Sequence, residues 1–258
     1  MSILVALILG IIQGLTEFLP VSSSGHLVLF QKIFGIESNL ILFDVILHLG
    51  TLIAVVIVYR KSILELIKHP FSKKMGYLVI GTIPTVIIAL LFKDFFESAF
   101  NGNILFVGFL ATSLLLFIAS YCDRKYKNYK TLKAKHIFVM GLFQGLAILP
   151  GLSRSGSTTC SSIVMGIKKE ETLEYSFLLS IPIILASLVY ELIFSKVTFV
   201  SSDILPIIIG FVSSAIFGIF SIIIMKKVIK KNNYKYFAIY LIILSCFLIL
   251  NQYVLHLF

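Results

Sequence analysis

This chain has 258 residues, 59% of them hydrophobic and only 13% charged, with a mean hydropathy of +1.04. That is far from the balance of a soluble globular domain. Its formal charge of +10 would suit a nucleic-acid partner, but Lys and Arg gather in short stretches between apolar runs, as in the cytoplasmic loops of membrane proteins, which argues against nucleic acid. The runs are too continuous for the alternating strands of a barrel, so the predicted fold is an all-α integral membrane protein.

In chain order, ten apolar segments are predicted at roughly 2–19, 25–35, 39–59, 76–93, 103–121, 137–149, 156–167, 172–195, 204–225 and 236–258. The first run has no Lys or Arg before it, so a cleavable signal peptide is not expected. A helix needs about 20 residues to cross a hydrocarbon core of roughly 30 Å. Segments 25–35 and 156–167 fall short, and each directly follows a Pro- and Ser-containing loop. Paired with the segment before it, each is predicted to form a re-entrant hairpin, tolerated where protein or a water-filled cavity covers the break. Six full crossings remain. Cys122, Cys160 and Cys246 show neither metal-site spacing nor a convincing disulfide pair, and are read as packing residues.

Charge orients these segments. Arg60, Lys61, Lys68, Lys73 and Lys74 follow Tyr59. Arg124, Lys125, Lys127, Lys130, Lys133 and Lys135 follow Tyr121. Lys226, Lys227, Lys230, Lys231 and Lys235 follow Met225. All three stretches are predicted cytoplasmic. The loops Asp94 to Asn103 and Val197 to Asp203 lack basic residues and are predicted external. Both termini and Glu37 then lie outside, and Lys168 and Lys169 inside. The two hairpins enter from opposite faces with their loops pointing at each other. This is an inverted-topology repeat within one polytopic domain, spanning about 1–121 and 137–258, and such architectures place their site near the bilayer midplane.

The sequence carries the repeat openly. Gln13-Gly-Leu-Thr-Glu-Phe-Leu-Pro-Val-Ser-Ser-Ser-Gly25 returns 131 positions later as Gln144-Gly-Leu-Ala-Ile-Leu-Pro-Gly-Leu-Ser-Arg-Ser-Gly156. A weaker echo pairs Leu78-Val-Ile-Gly81 with Ile207-Ile-Ile-Gly210, 129 positions apart. The frames match but their reactive groups differ. Glu17 and His26 belong to the first copy, whereas the second has Ile148 in place of the acid and adds Arg154.

That asymmetry points to two loops building one site. Ser22, Ser23, Ser24 and Gly25, like Ser153, Ser155 and Gly156, stand where short helices begin, and unpaired N–H groups at helix starts favour anions. Ordinary capping is the plainer role for these serines. Arg154 adds a planar fork suited to phosphate, and an arginine at membrane depth is functional by default. Gln13 and Glu17, four residues apart, share one helix face. Glu17 could hold a divalent cation, act as general base, or simply pair with Arg154. His26, amid a carboxylate, hydroxyls and an opposed guanidinium, reads as functional. Together the groups suit phosphoryl transfer, with a Ser or water attacking in line. Asp44 and His48, four apart, could line the same cavity or merely pair with each other. His69, His136 and His256 are read as bystanders, and Glu170, Glu171 and Glu174 as a solvated helix start.

Gln-x-x-x-Glu followed by Pro-Val-Ser-Ser-Ser-Gly-His, with Pro-Gly-Leu-Ser-Arg-Ser-Gly-Ser-Thr later, resembles the bacterial undecaprenyl-diphosphate phosphatase family linked to bacitracin resistance. The resemblance covers the whole chain in length, segment count and motif position. It implies a multi-pass protein of the bacterial plasma (inner) membrane that hydrolyses undecaprenyl diphosphate to the monophosphate. That reaction recycles the lipid carrier for peptidoglycan and other wall polymers. A divalent cation, Mg or Ca, and a site open to the external side are implied with it. Carried over by position, Glu17, Ser23, His26 and Arg154 form the catalytic set, with Glu17 also the metal ligand. Gln13, Ser22, Ser24, Gly25, Ser153, Ser155, Gly156 and Thr158 bind substrate. The family's leading position admits Glu or Gln, and Gln13 weakens a two-carboxylate mechanism here. The nucleophile (Ser23, His26 or water) and the oligomeric state stay open. A polyprenyl-phosphate flippase on the same inverted repeat is the competing expectation.

Overall fold

A computed structural model describes residues 1–36, 40–194 and 204–257. Glu37, the loop from Val197 to Asp203 and Phe258 lie outside them. The described residues are helical nearly throughout. α1 (Ile3–Phe18) and α2 (Ser23–Ile33) make the first hairpin. α3 (Ile41–Val58), α4 (Arg60–Lys68), α5 (Lys73–Leu91), α6 (Lys93–Ala99) and α7 (Leu105–Lys125) follow. The second hairpin is α8 (Ala134–Leu146) and α9 (Arg154–Val164), then come α10 (Lys169–Leu178), α11 (Ser180–Phe194), α12 (Ile204–Lys231) and α13 (Tyr234–Leu250). A π-helical turn at Asn251–Leu255 ends the described chain.

Among the described residues five helical spans are long and apolar enough to cross a membrane, six if α3 and α4 are counted as one bent span. Leu90, Leu91, Ile216, Phe220 and Ile243 stand exposed along these helices, as a lipid solvent permits and water does not. The chain is a multi-pass membrane protein.

The helices meet the expected segments with three differences. The stretch after Tyr59, expected as a loop, is the helix α4, bent by 84° from α3. It buries Leu66 and keeps its charges exposed, so its apolar face holds it against the bundle. The stretch after Phe92 likewise carries the short α6, which buries Phe96 and Ala99. Glu171 and Glu174, expected as solvated, are partly buried and engaged. Glu171 accepts from the Leu132 amide at 2.6 Å, while Glu174 accepts from Ser62 Oγ and pairs with Lys74, both at 2.6 Å. The stretches after Tyr59 and Tyr121 therefore anchor to α10. Nearby, Tyr129 donates to Asp123 at 2.7 Å; burial first, and then that bond, push its phenol up to about 12.

The repeated frame also dictates packing. α1 lies along α12, and α8 lies along α5. A Cβ at Gly10 would fall 2.5 Å from the Gly210 carbonyl oxygen, and one at Gly141 only 2.1 Å from that of Gly81. Gly10 and Gly141 are 131 positions apart and Gly81 and Gly210 are 129 apart, so matched glycines make two equivalent close crossings, each joining one half of the chain to the other. Small residues allow such approach where lipid offers helices no hydrophobic driving force. Thr85 Oγ1 donates to the Gly141 carbonyl at 2.9 Å across the second crossing, and Ser214 Oγ ties α12 to the Leu47 carbonyl of α3 at 2.9 Å.

Candidate active site

Each hairpin loop ends in the predicted cap. Ser22 Oγ accepts from the Gly25 amide at 3.3 Å, and Ser153 Oγ from the Gly156 amide at 3.0 Å. In both loops the capping hydroxyl also shares a 3.3 Å hydrogen bond with the serine two residues on, Ser24 or Ser155. Ser22 takes a left-handed backbone (φ 69°) that few side chains tolerate, which turns the chain sharply out of the Leu-Pro segment.

The loops touch. Ser155 Oγ donates to the Leu19 carbonyl at 2.9 Å, linking the second loop to the first. Gly25 sits where a Cβ would meet Phe109 and the Cα of Gly151 at 2.7 and 2.9 Å. Gly151 needs its positive φ of 87°, and its carbonyl accepts from Thr112 Oγ1 at 3.0 Å. Thr112 in turn accepts from the Ser153 amide at 2.9 Å. α7 thus holds the second loop in place.

At the junction lies Glu17, buried at the end of α1. Arg154 Nη2, at the start of α9, pairs with Glu17 Oε1. Gln13 Nε2 donates to Glu17 Oε2 at 3.0 Å and Ser23 Oγ donates to the same oxygen at 2.6 Å. His48 Nε2, from α3, stands 3.6 Å from it. The carboxylate therefore meets three elements besides its own helix. Among the described residues five buried side-chain atoms lack partners, and two of them, Arg154 Nη1 and Gln13 Oε1, belong to this cluster. An unmade buried hydrogen bond is costly, so each marks a place where a ligand would satisfy the protein. Arg154 Nη1 is a charged donor for an anion. Gln13 Oε1 is an acceptor beside a carboxylate, a donor set that could hold a divalent cation. No three His, Cys, Asp or Glu side chains among the described residues form a metal-binding group on their own.

Of the expected site residues, Gln13, Glu17, Ser23 and Arg154 are in direct contact. His26 joins them only through its neighbours. Its Nδ1 lies 2.7 Å from the Ser22 carbonyl, which can only accept, so Nδ1 carries the proton. Nε2 therefore accepts from the Tyr240 hydroxyl, also at 2.7 Å. The ring stacks on Tyr240 and meets Phe109 edge-on. No hydrogen bond between described residues joins His26 to Glu17 or Arg154. Ser22 and Ser153 are caps, and Thr158 is fully buried, bonded to Ser176 Oγ at 2.6 Å and to the Arg154 carbonyl at 2.9 Å. Thr158, Ser155 and Gly156 are spent on holding the loop, leaving Ser23 and Ser24 as the partly exposed serines. Asp44 faces Gln31 instead of His48, accepting from its amide at 2.8 and 3.1 Å. Tyr240 escaped sequence reasoning, because a tyrosine in an apolar crossing helix carries no local mark of its partner.

This is an all-α multi-pass membrane protein whose two hairpin loops meet at a buried carboxylate–arginine pair, with an unpartnered guanidinium nitrogen and an adjacent serine, a set of groups whose chemistry suits an anion. The chain matches the family model described as "Bacitracin resistance protein BacA" over residues 6–247. It is 43% identical over 252 residues to an undecaprenyl-diphosphatase of Carboxydothermus hydrogenoformans, covering 96% of both chains. To undecaprenyl-diphosphatase 4 of Bacillus thuringiensis strain Al Hakam it is 41% identical over 258 residues, 98% of both. To the undecaprenyl-diphosphatase of Christiangramia forsetii it is 37% identical over 265 residues, with 98% and 99% covered. The chain belongs to the bacitracin resistance BacA family.

Proposed function

We infer that this chain hydrolyses undecaprenyl diphosphate to undecaprenyl phosphate and inorganic phosphate, in the service of cell-wall synthesis and bacitracin resistance. Family membership and the names of its relatives support the activity. The flippase alternative is not favoured by them. A lipid substrate also explains a site within the membrane: the prenyl tail stays in hydrocarbon while the diphosphate reaches the loops.

The observation that carries the mechanism is the 2.6 Å hydrogen bond from Ser23 Oγ to Glu17 Oε2. It is the nucleophile–base contact that activates a hydroxyl. Arg154, with Nη1 free, receives the diphosphate oxygens. Ser23 Oγ attacks the terminal phosphorus in line and its proton passes to Glu17. The bridging P–O bond breaks, and undecaprenyl phosphate leaves with the electron pair. Water then attacks the phosphoseryl phosphorus, both of its protons staying on the inorganic phosphate that forms. Ser23 Oγ departs, recovers the proton from Glu17, and inorganic phosphate is released. His26, pinned between the Ser22 carbonyl and Tyr240, holds the turn that presents Ser23. A divalent cation at Glu17 and Gln13 would neutralise charge on the phosphoryl oxygens when bound.

We place the site on the external side of the plasma membrane and the two hairpins in opposite orientations. The distribution of basic residues supports both readings, and the equivalent glycine crossings of the two halves support the second. Purified protein in detergent, given a polyprenyl diphosphate, should release inorganic phosphate without any gradient. A protein that moves the lipid across vesicles yet releases none would overturn the enzymatic reading.

A further inference from the structure

Outside the two hairpin loops, a recess of about 360 Å3 opens where the start of α8 meets the end of α9. Lys130, Lys135 and His136 line it together with the apolar Val139, Val164 and Met165, and no carboxylate does. The stretch after Tyr121 is fastened to its rim. The Lys130 amide donates to the Gly166 carbonyl at 2.7 Å, and the Lys130 carbonyl accepts from the Lys168 amide at 3.1 Å. Tyr126 donates its hydroxyl to the Val164 carbonyl at 2.5 Å. The backbone that carries Lys130 is therefore held in place.

His136, a bystander by its sequence context, sets the sign of the ligand. It is only 6% exposed. Its Nδ1 accepts from the Lys133 amide at 3.0 Å. A ring nitrogen that accepts carries no proton, so the proton sits on Nε2. That N–H has no partner among the described residues, and a buried donor left unpaired is costly. The charges of Lys135, Lys130 and Lys133 all act on the ring, and none of the three is ion-paired among the described residues. α8 also begins here, and Lys133 at its N-cap has no side-chain acceptor to offer the unpaired amides. Every one of these groups favours an anion.

The apolar lining says which anion. Lys135, Val139, Leu142 and Leu146 recur at helical spacing on one face of α8. Val139 and Leu142 are half-buried and Leu146 is exposed, so an apolar stripe runs from the recess along the helix. A free ion leaves that stripe uncovered, whereas an acyl chain covers it. We propose that the recess seats an anionic phospholipid, its phosphate diester received by Lys130, Lys135 and the His136 Nε2–H, and an acyl chain lying along Val139, Leu142 and Leu146. Basic recesses between membrane helices are suited to such headgroups. This lipid is a resident of the fold, distinct from the substrate that meets Glu17 and Arg154.

The test uses the full chain, delipidated in detergent, with bound lipid counted by native mass spectrometry as phosphatidylglycerol or zwitterionic phosphatidylcholine is added. Phosphatidylglycerol should bind in preference. Lys130→Gln combined with Lys135→Gln should weaken its binding about 30-fold, from roughly 5-fold for each lysine near a headgroup, and leave phosphatidylcholine unaffected. The same change at Lys227 and Lys230, an exposed pair on α12, should leave phosphatidylglycerol binding as it was. His136→Asn keeps an acceptor for the Lys133 amide but removes the Nε2–H, and it too should weaken binding; it serves as the second variant should the double one fail to fold. Excess inorganic phosphate should not displace the lipid. Equal binding of the two lipids would remove the anion from the proposal and overturn it. Displacement by inorganic phosphate would make the occupant a free ion, and an equal loss in the α12 pair would reduce the effect to general surface attraction; either result overturns it as well.

Discussion

Arg154 pairs with Glu17 across 137 residues of sequence, and through it the two halves of the chain share one charge pair. Both groups are held at the ends of helices whose loops interlock. The pair has two roles available, structural tie or anion receiver, and substitutions separate them.

Arg154→Lys keeps the charge but loses the planar fork, including the free Nη1. Phosphate release should fall about 100- to 1000-fold, the usual cost of losing one charge-stabilising donor. Glu17→Gln should be comparably damaging, because it removes the base for Ser23. Both single variants should unfold close to the wild-type temperature in detergent. A purely structural pair gives the opposite pattern: destabilised single variants, and recovery of much of the stability when both residues become apolar.

The nucleophile is open to chemical identification. Quenching during turnover of a substrate labelled in its terminal phosphate should trap label on Ser23 as an acid-stable phosphoserine, lost in Ser23→Ala. Acid-labile label on His26 would transfer the role to the imidazole. Label on neither, with Ser23→Ala still active, would point to direct attack by water.

Tyr240→Phe removes the hydroxyl that donates to His26 while keeping the stacked ring. The lost bond leaves a buried acceptor unpaired, a penalty of about 1–3 kcal/mol. We expect lower thermal stability and a reduction in turnover milder than that of Ser23→Ala. An inactive but fully stable Tyr240→Phe protein would give the phenol a direct part in the chemistry.

The helix crossings supply a stability prediction. Gly141→Ala would drive a methyl to 2.1 Å from the Gly81 carbonyl oxygen, a backbone atom that cannot swing away. Overpacking of this kind costs about 1–3 kcal/mol, so the unfolding temperature should drop. Gly76→Ala, where nothing lies within 4 Å, should be neutral or stabilising, as alanine is the better helix former by about 1 kcal/mol. Equal effects at the two positions would refute the close crossing.

Topology can be read by cysteine labelling in a background lacking Cys122, Cys160 and Cys246. Cysteines placed at Lys68, Lys127 and Lys231 should react only with reagents that reach the cytoplasm. Those at Ser2, Asn101 and His256 should react from outside. External labelling at Lys127, or internal labelling at His256, would break the inverted arrangement.

The sequence by itself determined the membrane class, the two short helices that follow the repeated loops and their caps, and which charged groups those loops carry. These depend on local physics: the length of an apolar run, the unpaired amides at a helix start, the expense of an arginine at membrane depth. The repeated frame added one long-range fact, because two loops with the same scaffold and different reactive groups are informative only as a pair. The tertiary structure decided how each hydroxyl is used. Ser155 and Thr158 look like Ser23 in sequence, yet packing spends them on the Leu19 carbonyl and on Ser176, whereas Ser23 meets Glu17. It also brought in His48 and Tyr240 from helices outside the motifs, and turned the basic stretch after Tyr59 into a helix at 84° to its neighbour. Which helix lies beside which is settled by side-chain fit over the whole bundle. A residue's own neighbours in sequence do not encode the partner it meets there.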